Sequence, residues 1–352
     1  MSGIFCWKEN CRGIFWEMKN PMKVTIKDIA KMAGVSHPTV SKALNDVPGV
    51  AEETRNKILS IAKQMNYMPN MAAKRLSDKK SNCIGLIWPV AESLFFYNLC
   101  MLIHAEAGKR GINVITSLVA PVEAMRTFNQ HFVDHIIFWC YPRWVPSIEF
   151  LKEKEQFHGE LLLVGGGKMD GAHCISIDRI TGIYKAVDHF VRLGHRRISF
   201  IGESSDKLTG FTQAFVEHGL EYHPDYVVRT DDRNLDFDQK IRDLLVNNNN
   251  KPTGILVDSQ AVLFRLVRLL RILKVSVPDD ISVIVYDDIP EMERFEIPFT
   301  TVGPSIEKLA KTSIESLTRG PETNGSWINV EIKSELTIRH STKPAIDSTT
   351  SK

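Results

Sequence analysis

The sequence predicts two unlike parts: a small all-α head near the N-terminus, and a larger α/β body of two doubly wound parallel-sheet subdomains. Three observations predict this. Residues 24–76 hold short stretches of helical apolar spacing broken by glycine turns. From Ile84 onward apolar runs alternate with helical stretches. Charge is also divided unevenly: residues 22–80 carry 11 Lys/Arg against 5 Asp/Glu, or +6, while residues 81–352 carry 30 against 35, or −5. A basic head on an acidic body implies that only the head meets a polyanion.

A chain of 352 residues exceeds one small core. At 43% hydrophobic and 24% charged it reads as globular rather than disordered. No apolar run approaches the ~18 residues that span a membrane. The apolar patch Gly3–Trp7 is cut short by Lys8 and Glu9 and is not a secretory segment. The cysteines Cys6, Cys11, Cys83, Cys100, Cys140 and Cys174 are scattered, with no CxxC pair and no Cys/His cluster of zinc spacing. That argues against a metal site or a disulfide framework, and for free thiols in a reducing cytoplasm.

The head reads element by element. A first helix opens after Thr25, with Ile26, Ile29 and Ala30 at helical spacing, and Gly34 breaks it. Ser36 caps a second helix that places Val40, Ala43 and Leu44 on one face. Pro38 is tolerated in its first turn because those N–H groups have no intrahelical partner. The turn Asp46-Val47-Pro48-Gly49 leads to a third helix with Ile58, Ile61, Ala62 and Met65 in register. A short helix, a glycine turn and a second short helix make a helix-turn-helix, whose second helix reads base edges in the major groove of DNA.

In the body, Ile84–Trp88, Asn113–Leu118, His135–Trp139, Leu161–Val164, Ile198–Ile201, Gly254–Val257 and Ser282–Tyr286 read as buried strands. Helical patterns fall at Leu99–Lys109, Ile183–Leu193, Phe211–His218, Phe237–Asn247 and Val262–Leu273. Such alternation implies parallel sheets with right-handed crossovers. The strands are too many for one compact sheet, and ligands in sheets of this kind bind at the carboxyl ends of strands.

The blocks TIKDIAKMAGVS, TVSKALN, VAEETR and NYMPN…AKRL stand in order and at the right spacing, and they resemble the N-terminal module of the LacI/PurR family of bacterial repressors. The resemblance runs from Lys23 to about Thr342. It implies a periplasmic-binding-protein-like core, and it sets the expected organisation: an unmatched extension (1–21), the helix-turn-helix domain (22–69), a hinge helix and linker (70–80), the effector-binding and dimerisation core (81–340) and a flexible tail (341–352).

The resemblance also implies roles. His37 and Pro38 occupy the positions that choose base sequence, with Lys42 one turn on. Pro38 can offer only apolar contact, and Lys42 stands where many relatives have the more discriminating Arg. Thr25, Ser36, Thr39, Ser41 and Asn45 read as capping or phosphate contacts, which position without specifying. Asn70 caps the hinge helix, Ala73 lets two such helices approach, Lys74 meets phosphate and Leu76 wedges into the minor groove. In the core, Phe95, Phe96 and Trp139 offer flat faces to a pyranose, and Asp178, Lys207, Asp258 and Asp287 offer groups for hydroxyls; core packing or helix capping is the competing reading for most of them.

Several positions depart from the family pattern. Lys207 stands before Gly210-Phe211 where Arg is usual, Asp258-Ser259 replaces Asn-Asp, Arg179 follows Asp178 where Asn is common, and Val285 replaces a glycine. These changes alter the donors and acceptors of the pocket. No catalytic motif is present: Gly165-Gly166-Gly167-Lys168 lacks the P-loop spacing, and neither G-x-S-x-G nor H-E-x-x-H occurs. The expected function is a cytoplasmic, homodimeric, cofactor-free DNA-binding regulator whose operator affinity follows a small sugar-like ligand. The alternative is a regulator with a degenerate pocket controlled by a partner protein.

Overall fold

The computed structural model describes residues 24–68, 81–89, 93–131, 133–203, 205–230, 236–247, 250–318 and 327–345. The chain divides into two compact units, Met1–Lys79 and Lys80–Lys352. In the first, α1 (Ile26–Ala33), α2 (His37–Leu44) and α3 (Glu52–Gln64) enclose Ile29, Ala33, Val40, Ala43, Ile58 and Ile61. Met65 sits partly buried against that core. The turn between α1 and α2 needs Gly34, whose φ of +71° is the left-handed conformation that side chains with a Cβ resist.

Among the described residues the second unit holds eleven strands in the order β2-β1-β3-β4-β5-β11-β10-β9-β8-β6-β7. The first subdomain contains β1 (Cys83–Ile87), β2 (Asn113–Ser117), β3 (His135–Trp139), β4 (Glu160–Gly165) and β5 (His173–Asp178). The second contains β6 (Ile198–Gly202), β7 (Val227–Arg229), β8 (Gly254–Val257), β9 (Ser282–Tyr286) and β10 (Thr300–Pro304). Each half repeats one winding, so β6 to β10 follow the order of β1 to β5. The two windings form one ladder because β11 (Asn329–Thr337) changes partner midway. Its first half, through Lys333, pairs parallel to β5; from Ser334 it pairs antiparallel to β10.

Both faces of each sheet are covered. Along β3, Ile136 and Phe138 enter one apolar cluster while Ile137 and Trp139 enter another. A strand buried on both faces needs an unbroken apolar run, which is why these runs stand out in the sequence.

The helices are longer at their N-termini than their apolar periodicity shows. The helix read from Leu99 begins at Leu94, the one read from Ile183 at Arg179, and the one read from Phe211 at Asp206. Their first turns mix polar or aromatic side chains with single aliphatic ones, which breaks the pattern. The stretch Phe237–Asn247 is an α-helix only to Arg242 and then a π turn. Helices Pro121–His131, Ile148–Gln156 and Ile306–Thr318 and strands β7, β10 and β11 carry weaker signals in the sequence.

The expected flexible tail from 341 is corrected. Ser341 is buried, its Oγ accepting from Thr300 N at 2.8 Å and donating to Val283 O at 2.6 Å. His195 Nε2 lies 2.9 Å from Lys343 O, and Ala345 N donates to Leu193 O at 2.8 Å. Residues 341–345 therefore strap the second subdomain, because their backbone finds partners there.

Candidate functional site

Two surfaces carry the candidate residues. In the head, Asp28 accepts from Thr25 N at 2.8 Å and Thr25 Oγ1 at 2.7 Å, which fixes the start of α1. Those bonds, the side-chain one first, hold the Asp28 carboxyl below its usual range. A phosphate would have to take the Thr25 hydroxyl proton from Asp28. Ser36 Oγ accepts weakly from Thr39 N at 3.4 Å and shares a 2.8 Å hydrogen bond with Thr39 Oγ1.

These caps orient α2 with Val40 and Ala43 buried and Ser36, His37, Pro38, Lys42 and Asn45 exposed. Thr39 and Ser41 are half-buried. Asn45 Nδ2 donates to Ser41 O at 3.0 Å, which ties down the helix end. Past it, Arg55 pairs with Asp46 and donates to Val47 O, clamping the turn into α3. One face of α2 thus holds the helix in place and the other presents an imidazole, a proline ring and an ammonium. Asn70, Ala73, Lys74 and Leu76 lie outside the described residues.

In the core, the candidates gather at the carboxyl ends of the strands. Trp88 follows β1, Phe95 and Phe96 sit in the first turn of the helix Leu94–Gly108, and Trp139 ends β3. Trp88 stacks on Trp139 at 5.3 Å, and Phe96 meets the edges of Trp88 and Trp139 at 4.6 and 5.2 Å. Phe95 packs on Trp139 at 5.6 Å. Phe95 and Trp139 are buried among these rings, so neither presents an open face.

The polar candidates come from the second subdomain. Lys207 Nζ donates to Asp258 O at 2.5 Å and stands 4.1 Å from the centre of the Tyr286 ring. Asp258 does not cap the helix after it. Its Oδ2 accepts from Glu203 N at 2.8 Å, and the carboxylate lies over Gly202, where a Cβ would collide with the carboxyl carbon. Asp287 has φ +84°, unusual for a residue with a side chain, and is held by its N–H to Val302 O at 2.9 Å.

Burial pushes the Asp287 carboxyl up to about 6, against the pull of Lys207 and Arg179 and with a further push from Asp258. Asp178 ends β5 and caps the next helix, accepting from Thr181 N at 3.0 Å. Beside it, Arg179 donates to Gly165 O at 2.6 Å, joining the subdomains at their crossing point.

The structure thus brings Lys207, Asp258 and Asp287 into one cluster and Phe95, Phe96 and Trp139 into another, while Asp178 stands at the crossing as a helix cap. Sequence reasoning missed Trp88 and Gln260. Each is within three residues of the carboxyl end of a buried strand, and that position was the available signal.

A head that presents a reading helix, joined to a two-subdomain core with its candidate residues at the strand ends, defines the class of a DNA-binding regulator. Residues 25–70 match the model of bacterial regulatory proteins of the lacI family, and residues 187–342 match the periplasmic binding protein-like domain. The chain is 29% identical over 341 residues to the HTH-type transcriptional regulator DegA of Bacillus subtilis, covering 92% of this chain and 99% of that one. It is 28% identical over 333 residues to the HTH-type transcriptional repressor PurR of Photobacterium profundum, covering 91% and 98%.

The fold matches the Lac repressor dimer bound to operator and the anti-inducer ONPF, with a TM-score of 0.77 at 23% identity over 91% of this chain and 99% of that one. It also matches the transcriptional regulator CelR in complex with cellobiose, at 0.60 and 21%, over 90% and 99%. The chain carries the DNA-binding domain of the lacI family of bacterial regulatory proteins and is a DNA-binding transcriptional regulator.

Proposed function

We propose that this regulator is an operator-specific repressor, acting in the cytoplasm as a homodimer, whose DNA affinity is set by a small polyhydroxy ligand in the cleft of the core. One observation carries the ligand reading. Trp88 Nε1, a donor of the first subdomain, and Asp258 Oδ1, an acceptor of the second, are both buried and have no hydrogen-bond partner among the described residues. A buried polar group left unpaired costs about 1–3 kcal/mol, so such groups recur where a ligand supplies the partner. A polyol both donates and accepts, and so offers the partner each of the two lacks. Sugar recognition by this fold, as in CelR with cellobiose, supports the same reading.

The dimer reading rests on the first subdomain. Helix Leu94–Gly108 and the edge strand β2 are joined through His104 Nε2 and Thr116 Oγ1 at 3.2 Å, and together they expose Tyr97, Met101 and Ile115. Two-fold proteins read two-fold sites, so two α2 helices would meet two operator half-sites through His37, Pro38 and Lys42, with Thr25, Thr39, Ser41 and Asn45 on phosphates.

The test is a thermal-shift screen of the full chain against neutral sugars, sugar phosphates and purines, followed by calorimetry with and without operator DNA. A ligand that binds only the folded state raises its apparent stability. The coupling to DNA should be reciprocal and about 1–3 kcal/mol. If no compound class binds, the ligand reading fails and control by a partner protein takes its place.

A further inference from the structure

One polar side chain of the core is almost fully buried, is shared between the subdomains, and touches the carboxylate cluster at Asp287. Gln260 opens the helix Gln260–Leu273 of the second subdomain and is 3% exposed. The surrounding donors and acceptors fix the orientation of its carboxamide. Its oxygen accepts from Ser93 Oγ at 2.8 Å and from Leu94 N at 3.2 Å, and its nitrogen donates to Asp287 Oδ2 at 3.1 Å. Ser93 and Leu94 belong to the first subdomain, Asp287 to the second.

The first-turn N–H groups of any helix lack intrahelical acceptors and need a cap. Ser93 occupies the N-cap position of helix Leu94–Gly108, but its side chain makes no capping bond. The cap therefore comes from Gln260, across the cleft. A second bridge runs parallel to it, where Asn98 Nδ2 donates to Glu291 Oε2 at 2.9 Å.

We propose that Gln260 is the coupling residue of the cleft, capping helix Leu94–Gly108 from the opposite subdomain and tying that cap to the pocket carboxylate Asp287. The proposal rests on the ligand reading for its purpose, though not for its test. The carboxamide can hold Ser93, Leu94 and Asp287 together only while the cleft is shut. Opening the cleft, or drawing Asp287 toward a ligand, takes the acceptor from the Leu94 N–H. The helix that loses its cap carries Tyr97 and Met101, part of the exposed face of the proposed dimer. The state of the cleft is thereby passed toward the subunit contact through the Gln260 amide.

The test is hydrogen exchange followed by mass spectrometry on the full chain without ligand, comparing wild type with Gln260→Leu and Gln260→Glu. Gln260→Leu should speed exchange at residues 94–98 by about tenfold, the factor that one lost buried hydrogen bond commands, while the head and helix Ile306–Thr318 exchange as in wild type.

Gln260→Glu separates coupling from mere packing. A carboxyl group there can accept from Ser93 and Leu94 while it shares a proton with Asp287, but once both are ionised the two carboxylates repel and the side chain leaves the cap. The other charged groups around Asp287 are Lys207, Arg179 and Asp258. Once corrected for intrinsic rates, protection in this variant should be near wild type at about pH 5.5 and lost at about pH 8, on either side of the carboxyl titration. Wild-type protection in both variants would overturn the proposal. So would equal loss in both at every pH, since that marks a packing role only. A ligand screen that found nothing would remove the ligand reading and leave the exchange result standing.

Discussion

Arg339 and Asp288 meet at 2.8 Å, Nη2 to Oδ1, and this contact holds the turn that presents Asp287 to the cleft. The guanidinium also donates to Phe299 O at 3.0 Å and Thr301 Oγ1 at 2.7 Å. The Asp288 carboxylate is closed off by Thr301 at 2.8 Å and Thr337 at 2.9 Å, one residue from each of the neighbouring strands β10 and β11. A pocket residue held at positive φ is thus braced by the strands that join the two subdomains.

Arg339→Met should destabilise the core by about 3 kcal/mol, because it leaves a largely enclosed carboxylate without its cation. The double variant Arg339→Met/Asp288→Asn should recover part of that loss. Urea midpoints of the single and double variants measure this. Equal destabilisation in both would show that Asp288 does not need the pairing.

The pH dependence of stability follows from Asp287. Its carboxyl is raised from 3.8 in the unfolded chain to about 6 in the fold, so between those values the folded state holds more protons than the unfolded one. This contribution to stability is complete below about pH 4 and is lost as pH rises through about 6. Asp287→Asn cannot titrate there. Melting temperatures of wild type and variant should converge in acid, and above about pH 6 the variant should gain relative to wild type. Parallel curves from about pH 4 to 8 would assign the titration elsewhere.

Trp88→Phe separates ligand binding from folding. The substitution keeps the aromatic packing and removes a buried donor that has no partner among the described residues, so the ligand-free core should melt close to wild type. A bound polyol would lose one hydrogen bond, or about 1 kcal/mol of affinity. Calorimetry with whichever sugar the screen identifies reads this directly. An unchanged affinity would place the ligand away from Trp88.

On DNA, His37→Ala or Lys42→Ala should cost about 1–3 kcal/mol on the preferred operator and relax choice at one base pair. Binding measured across a set of single-base operator variants would show it. If Lys42→Ala weakened every variant by the same factor, Lys42 would be a phosphate contact.

The class of this protein is legible in the linear order of its residues. Head and strands alike are built on local period, about 3.6 for Ile29, Ala33, Val40 and Ala43 and unbroken apolar runs for Ile136–Trp139, and local period survives in an unfolded chain. The outward side chains of α2 are legible in the same way, since burying Val40 and Ala43 leaves His37, Pro38 and Lys42 facing away from the head.

The making of the cleft, by contrast, is a matter of long-range packing. β11 shows no sequence sign that it changes partner at Lys333-Ser334, because strand pairing joins segments far apart in the chain. The flat rings of Phe95, Phe96 and Trp139 were legible as aromatics, but their packing on Trp88 depends on strands and helices distant in sequence. Gln260 reads in sequence as an ordinary polar residue at a helix start. Its contacts with Ser93 and Leu94 come from 167 and 166 positions away, and only folding the two subdomains against each other creates them.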